Sequence, residues 1–212
     1  MEEEKTNGAR TDESAEAIAA EAAQNRRNLG KVGQIHLVML LGALTLWAAA
    51  DTWAAASSLG IATLLAVANA IVAATVIAGI VHEWGHYVGA RVAGARTQVL
   101  DKPINYFFIF QFPFEHNDRD QFLAMSWGGI LAPWLPVAIV AASIPIDNAS
   151  RAMLLAAFVT RAVQVGVFEV PVAGRARKGG DPQGELERQL LGGFSQSRYA
   201  GLVVGALVWL AL

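Results

Sequence analysis

The stretch LGIATLLAVANAIVAATVIAGIVHEWGHYVGA (Leu59–Ala90) decides the fold. Glu83 is its only charged residue, and nothing in it breaks a helix as proline would. As a straight helix it would be about 48 Å long, more than the roughly 30 Å hydrocarbon core of a bilayer, so it must tilt, bend or protrude. Near its end stands Val81-His82-Glu83-Trp84-Gly85-His86. On a helix His82 and His86 lie one turn apart on the same face, where two imidazoles can share a zinc ion while Glu83 takes a proton from water. The competing reading is that these polar residues only finish the helix in the headgroup region. An ionisable side chain inside a bilayer costs roughly 2.5 to 3.5 kcal/mol and usually marks function, which favours the metal reading.

The rest of the composition agrees with a membrane protein. Of 212 residues 54% are hydrophobic and 16% charged, with the apolar residues gathered in runs. Further spans are expected at about 35–56, 121–146, 151–172 and, less completely, 199–212. The fold class is therefore an all-α polytopic membrane protein with four or five transmembrane helices. Residues 1–31 read as a mobile polar tail and 32–212 as a single membrane domain. Met1-Glu2-Glu3-Glu4 is acidic where a signal peptide is cationic, so the first span is expected to stay in the mature protein. With no cysteine, metal ligands must be histidines and carboxylates. A net charge of -2 argues against nucleic acid as a partner.

Between the second and third spans the pattern changes. Ile104-Asn105-Tyr106-Phe107-Phe108-Ile109-Phe110-Gln111-Phe112, bracketed by Pro103 and Pro113, leans to β and is too short to span. A strand or hairpin within about 96–114, lying at the membrane surface, fits its aromatics. Glu115-His116-Asn117-Asp118 could form a second metal cluster but reads rather as a polar turn leading into the third span. In the third span Gly128-Gly129-Ile130-Leu131-Ala132-Pro133 permits close backbone contact and predicts a kink at Pro133. Asn69 is expected to hydrogen-bond in helix packing, and Arg161, Gln164 and Glu169 to face protein or a water-filled cavity.

Charge gives an orientation. Arg26, Arg27 and Lys31 precede the first span, Arg91, Arg96 and Lys102 follow the second, and Arg175, Arg177 and Lys178 follow the fourth. The loops on the other side carry only Arg151. By the positive-inside rule the N-terminus and the histidine motif face the cytoplasm, in a cell (inner) membrane.

A catalytic zinc takes three protein ligands and keeps one position open. The third is sought among Asp181, Glu169, Glu115 and His116. Asp181 is preferred because it follows Gly179-Gly180 on the expected side and opens a helix, although Asp before Pro182 is also a common helix cap.

His82-Glu83-Trp84-Gly85-His86 in a membrane helix resembles the site-2 protease family of intramembrane zinc metalloproteases. The aromatic β-leaning stretch, Gly128-Gly129-Ile130-Leu131-Ala132-Pro133, and Val170-Pro171 followed by Asp181 resemble the family's later segments in the same order, over roughly residues 60–190. The resemblance implies a zinc endopeptidase in which His82, His86 and Asp181 hold the metal and Glu83 is the base. It also implies a substrate that is a transmembrane segment of another protein, unwound into a strand. The edge carrying Asn105, Tyr106, Phe108 and Phe110 would pair with it. The alternative is an inactive relative, a metal-binding scaffold for client helices. A transporter would string ligands through several spans near the midplane, unlike the clustering here.

Overall fold

The computed structural model describes residues 2–105 and 107–212, with the backbone alone for 2–15, 17 and 18. Helix α1 runs over Glu2–Ser57 and α2 over Gly60–Val92. A two-stranded antiparallel sheet follows, β1 Gln98–Ile104 and β2 Phe108–Gln111. Then come α3 Arg119–Leu131, α4 Trp134–Ser143, α5 Ala149–Arg177, α6 Pro182–Gly192 and α7 Phe194–Ala211. Four segments are long and apolar enough to cross a membrane: Ala19–Ser57, Gly60–Val92, Arg119–Ser143 and Ala149–Arg177. The architecture is the expected one, an all-α polytopic membrane protein with a small hairpin after the second helix. The short segment α7 is not among those four.

No proline interrupts the chain before Pro103, so α1 continues unbroken until Ser58 turns left-handed at φ 56° and the chain reverses into α2. One face of α1 looks outward, with Val38 70% exposed and Leu37, Leu41 and Leu46 beside it, as a lipid-facing stripe requires. The buried face of α2 is a ladder of small residues, Ala62, Ala66, Ala70, Ala73 and Ala74, which lets neighbouring helices come close. Asn69 donates to the Leu65 carbonyl of its own helix at 2.9 Å rather than bridging between helices.

The N-terminal segment departs from expectation. Its last part is not a loose tail, because Asn25 donates to Thr97 O at 3.0 Å and accepts from Val99 N at 2.9 Å. Asn28, 5% exposed, donates to Val99 O at 2.9 Å. Polar side chains imitating a neighbouring strand dock this helix onto β1.

Two packed clusters flank the middle of the bundle. One gathers Trp47, Ala70, Ala74, Ile77, Leu154 and Phe158; the other gathers Ala90, Phe122, Met125, Val172 and Ala176. On α2 and α5 the stretches between them, 79–89 and 159–171, include His82, His86 and Glu169. Helix α5 passes through Pro171 and ends only at Arg177, several residues beyond the expected end of that span.

Candidate metal centre

His82 and His86 are one turn apart on α2, and α3 runs against that face. At the crossing the backbones nearly touch: a Cβ on Gly128 would strike the Gly85 carbonyl, and one on Gly89 would strike Ala124 O. A Cβ on Gly129 would occupy the His86 ring itself. The glycine pair therefore makes room for the imidazole as well as for the helix.

The same crossing orients both rings. His82 Nδ1 lies 3.0 Å from Gly129 O, and His86 Nδ1 lies 3.0 Å from Met125 O. A carbonyl only accepts, so each Nδ1 carries a proton, and in the neutral imidazole this leaves Nε2 with the lone pair that a metal needs. Gly129 O is free for this task because its helical partner would be the N–H of residue 133, which is proline. The two carbonyls, one turn apart on α3, match two histidines one turn apart on α2.

The third element is α5. Glu169 Oε1 lies 3.2 Å from His82 Nε2 and 3.2 Å from His86 Nε2, and the two Nε2 atoms are 3.3 Å apart. Among the described residues this is the group whose donor atoms could hold one metal ion. Three lone-pair atoms so close repel unless a cation or proton lies among them. Tetrahedral bonds of 2.0 to 2.1 Å to zinc separate neighbouring ligand atoms by about 3.3 Å, the spacing seen here. Glu169 Oε2 is buried without a hydrogen-bond partner. An orphaned carboxylate oxygen at that point suits a site completed by a cation, and the donor set of two imidazoles and a carboxylate suits zinc. Glu83, 7% exposed, lies within electrostatic reach of both rings and of Glu169.

No family model, curated protein or solved structure matches the chain.

Asp181, the preferred third ligand, is not brought to this group. It caps α6, accepting from Gly184 N at 2.8 Å ahead of Pro182. The Asp-Pro pair does what such a pair does at a helix start, and the chain folds back after Lys178 to place it there. Glu169, an alternative on sequence grounds, takes the position because the face of α5 that carries it packs against α2 beside both histidines. Glu115 and His116 pair with each other at 3.5 Å in an exposed turn, and Asp118 beyond them caps α3 with Gln121 N at 2.9 Å. The sequence signals missed were Pro133, which frees a carbonyl, and the spacing that carries Glu169 inward.

Of the residues expected to meet a substrate, Asn105 stands in the hairpin turn at φ 49°. Phe108 and Phe110 lie on β2; Phe108 is exposed, and the Phe110 ring meets Tyr87 with centroids 5.5 Å apart. Tyr106 lies outside the described residues. At positions 97–99 the outer edge of β1 is already occupied by Asn25 and Asn28.

Proposed function

We propose that the protein is an intramembrane zinc metalloendopeptidase like those of the site-2 protease family, acting on transmembrane segments of other proteins. The observation that carries this reading is the convergence of His82 Nε2, His86 Nε2 and Glu169 Oε1 at 3.2 to 3.3 Å beside the buried Glu83. His82, His86 and Glu169 hold the metal. When bound, zinc polarises the scissile carbonyl and makes a nearby water acidic enough to react near neutral pH.

The chain's own residues do the rest. The carbonyls of Gly129 and Met125 fix both imidazoles, so no reorientation is needed when the ion enters. Glu83, adjoining His82 on the same turn, takes a proton from water and returns it to the leaving amine. A helical substrate hides its amides, so it must be offered as a strand. Where β1 begins, Thr97 and Val99 are already taken by Asn25 and Asn28, which favours the β2 edge for pairing with it. Orientation follows from charge: Arg91, Arg96, Lys102, Arg175, Arg177 and Lys178 cluster beyond the histidine end, while Arg151 marks the opposite end. The positive-inside rule then puts the centre at the cytoplasmic side of a cell membrane.

The test measures zinc per chain and cleavage of a membrane-embedded reporter by purified protein. Wild type is expected to carry one zinc and cleave; Glu83→Gln is expected to keep zinc and lose cleavage by about 10²- to 10⁴-fold. Zinc binding and client association without any cleavage by wild type would replace this reading with that of a non-catalytic scaffold.

A further inference from the structure

Away from the metal centre, a cavity of about 670 Å³ opens between α2, α5 and α7. Its walls are mostly apolar, including Ile71 of α2, Met153 of α5, and Leu202 and Trp209 of α7. Two guanidinium groups also line it, Arg161 from α5 and Arg198 from α7.

Helix α7 runs antiparallel to α5. Phe194 packs on Phe168 with ring centroids 5.0 Å apart, while Gly205, further along, lies against Thr160 and Ala156. Phe194 is thus level with the turn that carries Glu169. Arg198 is one turn deeper, about 6 Å along the axis. Arg161 Nη1 donates to Gln164 Oε1 at 2.8 Å, and the Gln164 side chain lies against Gly201, three residues beyond Arg198 on α7. Both cations therefore stand in the part of the cavity nearest the metal-centre side, and the apolar walls extend away from it.

Among the described residues neither arginine has an acidic partner, and the buried Nε of Arg161 has no acceptor. For Arg161, inside a span, an unpaired guanidinium is costly and marks a site whose counter-ion comes from outside the chain, while the exposed Arg198 stands at the cavity's open side. The counter-ion must be anionic and must bring an apolar body to fill the remaining length. Basic pockets between transmembrane helices on the site-facing leaflet suit acidic lipid headgroups.

We propose that this cavity binds one anionic phospholipid, its phosphate held between Arg161 and Arg198 and an acyl chain lying along Ile71, Met153, Leu202 and Trp209. Bound there, the lipid links α2, which carries His82 and His86, to α5, which carries Glu169, and it also holds α7 in place.

The test is native mass spectrometry of the full chain in dodecyl maltoside, with dioleoylphosphatidylglycerol, dioleoylphosphatidylcholine or inorganic phosphate added. Wild type is expected to retain one phosphatidylglycerol, to retain phosphatidylcholine far less, and to be undisturbed by phosphate in excess. The double variant Arg161→Gln, Arg198→Gln is expected to lose phosphatidylglycerol affinity by roughly 10- to 30-fold. If that variant does not fold, Ala206→Trp carries the test, since it keeps both arginines but fills the apolar wall, and it too should lose the lipid. Equal retention of both lipids, displacement by inorganic phosphate, or undiminished phosphatidylglycerol binding by a folded variant would overturn the proposal. Zinc content and reporter cleavage do not enter this readout.

Discussion

Glu169 is the residue on which the centre turns. Two imidazoles at helical spacing make a weak pair by themselves; a carboxylate from another helix makes a pocket for a cation. Glu169→Ala should therefore strip zinc from the purified protein, an effect larger than the roughly 10- to 100-fold lost when an outer hydrogen-bond partner is removed. Asp181→Ala should leave zinc content unchanged while costing about 1 kcal/mol of stability through loss of its cap on α6. Metal analysis of the two variants side by side decides between the carboxylates, and zinc lost from Asp181→Ala but kept in Glu169→Ala would reverse the assignment. The sequence made His82, Glu83 and His86 legible because their spacing is read within one helix. It did not rank Glu169 above Asp181, because that depends on how far α5 continues past Pro171 and which of its faces meets α2. Those are properties of packing between distant segments.

At the scale of elements, the centre owes as much to α3 as to the helix bearing the histidines. Glycine at 128 and 129 was readable as a close-contact signal, and Pro133 as a kink. Their combined effect needed the partner helix in view: the glycines admit the His86 ring, and the proline releases the carbonyl that aims His82. Pro133→Ala would return an N–H to Gly129 O as a competitor for His82. Zinc affinity is expected to fall roughly 10- to 100-fold, as for other losses of a ligand-orienting bond, with helix content retained. Competition titration against a chelator measures it, and an unchanged affinity would show that His82 needs no such guide. Gly129→Val should do more harm, because its side chain would take the space of the His86 ring.

For the whole molecule, the spans and hairpin were legible because hydropathy and β-leaning aromatics act locally. The docking of α1 onto β1 was not, because it depends on two asparagines in a polar stretch matching a strand edge some 70 positions away. That contact joins the first span to the hairpin and fills part of an edge that would otherwise accept another strand. It also sets the N-terminal segment against the part of the molecule expected to receive substrate. Three hydrogen bonds are involved, and the one from Asn28 is buried. Replacing both asparagines by alanine leaves Thr97 O, Val99 N and Val99 O without these partners, at roughly 1 to 3 kcal/mol for each group that stays buried. The expected result is faster amide hydrogen exchange at Val99 and a lower unfolding temperature, with zinc content unchanged because His82, His86 and Glu169 are untouched. Reporter cleavage adds a second readout: with the β1 edge uncovered, an extended substrate has two strand edges to choose from, and cleavage should become less selective for sequence. Exchange at Val99 as slow as in wild type would mean that α1 is held on β1 by something other than these side chains.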